Sequence, residues 1–155
     1  MLQVIHGCDF SDWILERMPV KNGKPKWYYT IGIGNEKKLL GGVILFDYDG
    51  INIYFGGASD GSSKYWLNKR VIGEIADYVF NNLGCVRVTA RTQPDNAKAR
   101  RMLESLGFKC EGIIRQGYGT KDMLIYGILQ SEAMRWMKKE EEAMVWVIHV
   151  DNYMR

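Results

Sequence analysis

Along the middle of the chain, apolar and polar residues alternate and then switch period. Val86, Val88 and Ala90 alternate with Arg87, Thr89 and Arg91, the period of two expected of a strand over residues 85–90. Pro94 stops that strand, and Asp95 and Asn96 follow, both side chains suited to cap a helix N-terminus. Ala99, Met102, Leu103 and Leu106 then make one apolar stripe, with Lys98, Arg100, Arg101 and Glu104 outside it. Gly107 stands where a helix C-terminus wants glycine, and Phe108 follows as a buried anchor. The pattern is a short helix pinned between two strands.

The same rules divide the rest. Phe10, Trp13, Ile14 and Met18 predict a helix over 8–18, with Asp9 or Ser11 to cap it and Pro19 to end it. Residues 27–34 alternate as a strand, and 39–48 form a near-continuous apolar run, as in a strand buried on both faces. Asp49-Gly50 signals a hairpin turn into a strand over 51–55. The run from Gly56 to Gly61 is expected to break regular structure. Leu67, Val71, Ile75, Val79 and Leu83 predict a long helix over 62–83. A turn-rich connection over 116–121 leads to an apolar strand over 122–129 and a helix over 131–144. Residues 145–150 either extend that helix or add an edge strand.

This order predicts an α+β (mixed α/β) fold, with a mixed sheet and helices on both faces. Strands 51–55 and 85–90 are joined through a helix and should be parallel neighbours with a right-handed crossover.

Composition narrows the class. A chain of 155 residues reads as a single domain, and 46% hydrophobic content makes it globular. A net charge of +3 is too small to indicate nucleic acid. No apolar run approaches the ~20 residues of a membrane span, and the N-terminus lacks the pattern of a signal peptide. Cys8, Cys85 and Cys110 have unrelated spacings and read as free thiols, which suggests a cytoplasmic protein. His6-x-Cys8 has no partner at zinc-site spacing, so no metal is expected.

The segment Asn96-Ala97-Lys98-Ala99, then Leu103-Glu104-Ser105-Leu106-Gly107-Phe108 and Glu111-Gly112, resembles the "N-x-x-A … LGF … EG" block of GNAT acetyltransferases. In look it is nearest the branch that acetylates protein N-termini. The resemblance covers 39–136, with 1–38 as a variable N-terminal part and 137–155 as a C-terminal helix or extension. It implies a central, mainly antiparallel sheet with one splayed parallel strand pair. It also implies acetyl-CoA as cosubstrate, held along Gly57, Ala58 and Ser59, by Lys64, Trp66, Leu67, Asn68, Lys69 and Arg70, and by Asn96 and Arg100. Where the family carries a glycine-rich R/Q-x-x-G-x-G/A phosphate loop, this chain has Ser62-Ser63-Lys64-Tyr65-Trp66-Leu67-Asn68-Lys69-Arg70. Tyr65 and Trp66 are too large for a tight cradle. They are expected to turn into an apolar contact, with the N-terminal helix or with a second copy in a homodimer.

Acetyl transfer to an amine needs a neutral amine, a polarised carbonyl and a proton for the leaving thiolate. Many members use a tyrosine on the short helix as the acid; the matching position here is Leu103. Tyr126 is the favoured replacement, with Tyr118 and Tyr65 as others, and Asp60, Asp122 and Glu111 are candidate bases. The reading is an N-acetyltransferase working by direct attack in a ternary complex. Its acceptor is a protein N-terminus, a lysine or a small amine. The alternative is a GNAT-fold binding module without catalysis.

Overall fold

The computed structural model describes residues 2–19 and 23–137. Among the described residues, seven strands form one sheet in the order β1-β2-β3-β4-β5-β7-β6. They are β1 (Gln3–Ile5), β2 (Tyr28–Gly34), β3 (Leu39–Phe46), β4 (Asn52–Ser59), β5 (Arg87–Thr92), β6 (Lys109–Tyr118) and β7 (Lys121–Leu129). Every neighbouring pair is antiparallel except β4 and β5. The α-helices are α1 (Ser11–Arg17), α2 (Lys69–Asp77), which runs on as a π-helical turn over Tyr78–Asn82, α3 (Ala97–Leu106) and α4 (Gln130–Ala133).

The glycines of β3 and β4 show how the helices are layered. A Cβ on Gly42 would strike Ile14 of α1, whereas one on the adjacent Gly41 would strike Trp66, which precedes α2. Successive strand residues face opposite sides of a sheet, so α1 and Trp66 cover opposite faces. Gly56 and Gly57 repeat the alternation: the first looks toward Met18 at the end of α1, the second toward Trp66. Val43, Leu45, Ile53, Val71, Ile75, Val79, Leu103 and Leu106 belong to one buried cluster with Trp66. The 39–46 run is therefore apolar without interruption because both of its faces are covered, as its pattern predicted.

The predicted parallel pair is present. Asn52, Ile53 and Tyr54 pair with Arg87, Val88 and Thr89, and there the ladder ends. β4 nevertheless continues to Ser59 and β5 to Thr92. The two strands run on without pairing, so the sheet is split at its centre.

Several boundaries differ from the sequence reading. β3 ends at Phe46 rather than at 48, and the expected 116–121 connection is strand up to Tyr118 and again from Lys121. Gly56, Gly57 and Ala58 do not break β4; they stay paired to Ile44, Val43 and Gly42 of β3. Glycine weakens a strand but does not end one that has a buried partner. The long helix begins at Lys69 rather than at residue 62, because Asn68 takes an extended conformation and its Oδ1 accepts the Val71 N–H at 3.0 Å. Upstream, serine side chains compete for the backbone: Ser63 Oγ accepts the Tyr65 N–H, and Asp60 Oδ1 accepts both the N–H and the hydroxyl of Ser62. The last described helix is also shorter than expected. α4 passes into a 3-10 turn over Met134–Trp136, and Met137 is extended. The remainder of the predicted 131–144 helix and all of 145–150 lie outside the described residues.

Trp66 is 7% exposed, and its ring lies over Gly41 so closely that a Cβ there would sit 2.1 Å from a ring carbon. An indole held in a core cannot swing aside cheaply. Gly41→Ala should therefore destabilise the fold by about 1–3 kcal/mol, read as a lowered midpoint in denaturant. Gly41→Ala combined with Trp66→Leu should recover part of that loss. An unchanged midpoint in the single mutant would remove Trp66 from contact with Gly41.

Candidate active site

The split between β4 and β5 opens into a cleft of about 370 Å³. Phe55, Gly56 and Gly57 of β4 form one wall, and Ala90, Arg91 and Thr92 of β5 form the other. Asn96, Ala99, Met102 and Leu103 of α3 close one side, with Met18 and the 23–25 loop opposite, and Tyr118 at the end of β6. Beyond Tyr54 the ladder to β5 has ended, so β4 presents a free backbone edge to the cleft. Such an edge can hydrogen-bond an extended, amide-bearing ligand as a strand would. Gly56 and Gly57 place no side chain in its way.

The α3 N-terminus is held firmly. Asn96 Oδ1 accepts the Ala99 N–H at 3.1 Å, so Asn96 is a cap as well as a cleft residue. Arg100 does not reach toward solvent. Its Nη1 donates to the Pro94 carbonyl at 3.0 Å, and its Nε donates to the Tyr126 hydroxyl at 3.2 Å. That hydroxyl donates in turn to Glu104 Oε1 at 3.1 Å. Arg100 thus ties the turn before Asn96 to the sheet through β7.

The expected catalytic groups do not meet in the cleft. Tyr126 is fully buried and already has both hydrogen-bond partners, Arg100 and Glu104. Asp122 lies on β7, where its carboxylate accepts the Gln116 N–H at 2.9 Å. Asp60 sits in the loop after β4, bonded to Ser62 and paired with Lys38 Nζ at 3.0 Å. Those bonds, chiefly from Ser62 and then from Lys38, hold its carboxyl down to about 2. A carboxylate that acidic is a weak proton acceptor near neutrality. Glu111 pairs with Arg87 at 2.8 Å.

The expected cofactor residues fall into two groups. Gly57 and Asn96 line the cleft. Ala58 and Ser59 carry β4 past it, toward the loop that ends on the Asn68 cap. Around that cap, Lys64, Lys69 and Arg70 are exposed, and Arg70 donates to the Leu2 carbonyl. Leu67 packs against the core, and Trp66 lies within it. Tyr65 is 70% exposed, so the apolar contact expected of both aromatics is made by Trp66 alone, and made to the chain's own sheet.

Tyr118 is the tyrosine in the cleft wall. Burial pushes its phenol up, and the Arg91 guanidinium nearby draws it partly back. Arg91 itself lies over the rings of Tyr54 and Phe46, at 4.7 and 5.5 Å from their centroids. Sequence spacing did not connect Met18, Arg91 and Tyr118; they converge only because β4 and β5 part beside α1, α3 and the β6–β7 turn.

A model of the "Acetyltransferase (GNAT) domain" family matches residues 9–109. The chain belongs to the GNAT acetyltransferase family. The spermidine/spermine N-acetyltransferase SpeG from Vibrio cholerae, in complex with manganese ions, superposes with a TM-score of 0.62 at 20% identity, covering 73% of this chain and 71% of that one. A dodecameric spermidine N-acetyltransferase from the same organism gives 0.60 at 22% identity, covering 68% and 67%. A "putative acetyltransferase" from T. thermophilus gives 0.62 at 20%, covering 72% and 65%. Among curated proteins, an uncharacterized N-acetyltransferase, YoaA of Bacillus subtilis, is 36% identical over 56 residues, which is 34% of this chain and 32% of that protein. The chain thus matches about a third of that relative's length. The expected nearness to N-terminal acetyltransferases is not supported; the structural neighbours are spermidine acetyltransferases and an acetyltransferase without a stated acceptor.

Asn96→Ala removes a cap and a cleft side chain together. Loss of the cap should cost about 1 kcal/mol of stability. Acetyl-CoA affinity should fall as well, measured by calorimetric titration at a temperature where the mutant stays folded. Unchanged affinity beside that stability loss would make Asn96 a cap only.

Proposed function

We propose that this domain transfers the acetyl group of acetyl-CoA to the nitrogen of a small amine. The observation that carries the proposal is the free edge of β4 at the split. The pantetheine arm of the cosubstrate has two amides in an extended chain, and an unpaired strand edge beside paired glycines suits it. The thioester end then lies among Phe55, Ala90, Leu103 and Tyr118.

The amine nitrogen attacks the thioester carbonyl carbon, the C–S bond breaks, the thiolate takes a proton, and the proton that the nitrogen sheds on becoming an amide restores the acid that supplied it. Tyr118 supplies that proton from the cleft wall. A phenol raised by burial keeps its proton at neutral pH and is present as the acid when charge develops on the sulfur. Leu103 cannot fill this role, and the Tyr126 hydroxyl is committed to Arg100 and Glu104. The split geometry leaves the phosphates to the exposed cations Lys64, Lys69 and Arg70 beyond the Asn68 cap. Exposed pairs of this kind are screened by salt, so cosubstrate binding is weak and salt-sensitive. Support for a small acceptor comes from the spermidine acetyltransferases among the structural neighbours.

A second reading, a binding domain without turnover, rests on one observation: leucine stands in the cleft wall where an acid would help. Thermal melting with acetyl-CoA separates binding from its absence. A ligand specific to the folded state adds about 2.7 kcal/mol of stability at a hundredfold excess over Kd. The expected result is a raised midpoint that shrinks with added salt. No shift at millimolar acetyl-CoA would overturn the proposal.

Tyr118→Phe should lower turnover by about a hundredfold, within the range of general acid catalysis, with little change in acetyl-CoA affinity. Tyr126→Phe should instead cost about 1 kcal/mol of stability by stranding Glu104 and Arg100. Equal turnover in wild type and Tyr118→Phe would take Tyr118 out of the mechanism and leave turnover with the binding-domain reading to settle.

A further inference from the structure

The charged side chains lining the cleft differ in whether they have partners. Lys24 Nζ is paired with Asp12 at 2.9 Å. Arg91 is spread over the rings of Tyr54 and Phe46. The third is Asp47, directly after β3, and its carboxylate has no hydrogen-bond or ion-pair partner among the described residues. Its backbone N–H donates to the Trp27 carbonyl at 3.2 Å, and its side chain is left over. Asp47 is also the one carboxylate in the cleft lining among the described residues.

Nor does the turn need that side chain. The β3–β4 connection is organised by Asp49, whose Oδ1 accepts the N–H groups of Ile51 and Asn52 at 2.9 and 2.7 Å, and by Gly50 at φ +90°. Asp47 nonetheless adopts φ +50°, one of two non-glycine residues with positive φ among the described residues. A left-handed conformation is uncommon for a side-chain-bearing residue. Here it is fixed by the Trp27 bond and leaves the carboxylate at the cleft. Phe46, Phe55 and Tyr118 line the same cleft as Asp47, and their rings offer apolar surface that suits a methylene chain.

We propose that Asp47 binds a second positive charge on the acceptor, which makes the acceptor a diamine or a longer polyamine rather than a simple monoamine. One nitrogen goes to the thioester as the neutral nucleophile. The other stays protonated and pairs with Asp47. The methylenes between them lie along the aromatic wall. Lys24 is paired with Asp12, and Arg91, which keeps its charge, is held over the rings of Tyr54 and Phe46 rather than against Asp47. The proposal rests on the acetyl-transfer reading and assigns to it an acceptor class and a specificity residue.

The test is equilibrium binding of putrescine, spermidine and n-butylamine to the full chain with and without acetyl-CoA, read by calorimetry, on wild type and Asp47→Asn. Asparagine tolerates the same backbone conformation, so the change removes charge and little else. The expected result is preferential binding of putrescine and spermidine over butylamine. Asp47→Asn should weaken the two polyamines by about three- to tenfold, the size of an accessible ion pair, and weaken butylamine, which has no second charge, by less. The preference should shrink with added salt. Asp47→Lys should abolish it, while both variants keep the wild-type melting shift with acetyl-CoA. Equal affinity of all three amines for wild type, or equal weakening of all three in Asp47→Asn, would overturn the role of Asp47. Loss of the acetyl-CoA shift in wild type is a separate result that would overturn the parent reading.

Discussion

The structure turns on the point where two parallel strands stop pairing. Up to Tyr54 and Thr89, β4 and β5 share a ladder. One residue later each continues alone. A buried backbone without partners is costly, so a sheet opens at its centre only where something else satisfies or solvates the freed groups. β4 keeps its bonds to β3 on its other edge, and β5 keeps its bonds to β7. The split is thus braced from both sides, and the cleft has rigid walls rather than a mobile loop.

The α3 helix keeps the split in register. It follows β5 directly, and its first turn is fixed by three separate bonds. Asn96 caps it, Arg100 holds the Pro94 carbonyl, and Tyr126 holds Arg100 from the neighbouring strand. Tyr126 shows how a buried polar group can be misread. A lone hydroxyl in an apolar strand must have a partner, and the sequence could suggest catalysis as readily as bracing. The partner is a helix arginine, four residues past the cap, and no spacing rule links the two.

Much of the fold could be read from residue pattern. Asp49-Gly50, the alternation over 85–90, and the Asn96 and Gly107 ends of α3 all stand where their local chemistry placed them. These are positions decided by neighbours in sequence. The misjudged ones were decided at a distance. Gly56 and Gly57 look like a loop until β3 is laid beside them. Residues 62–67 look helical until Ser62, Ser63 and Asn68 are allowed to bond the backbone and Trp66 is allowed to leave the helix phase. The cleft was hardest to read, since Met18, Asp47, Arg91 and Tyr118 are far apart in the chain and carry no motif. Only the order of strands brings them to one place.

Trp66 has a consequence of a different kind. Its ring lies against the bare backbone of Gly41 and reaches the side of Gly57, on two neighbouring strands. The three residues therefore act as one unit in descent. A lineage cannot acquire a side chain at Gly41 while the indole is present. It can lose the indole only by leaving a hollow that those glycines cannot fill. The order of change is constrained at Gly41: the large ring must shrink or shift before that glycine can grow, and the intermediate carries the cavity. Such a path is narrow, and it fixes a bulky residue in this loop.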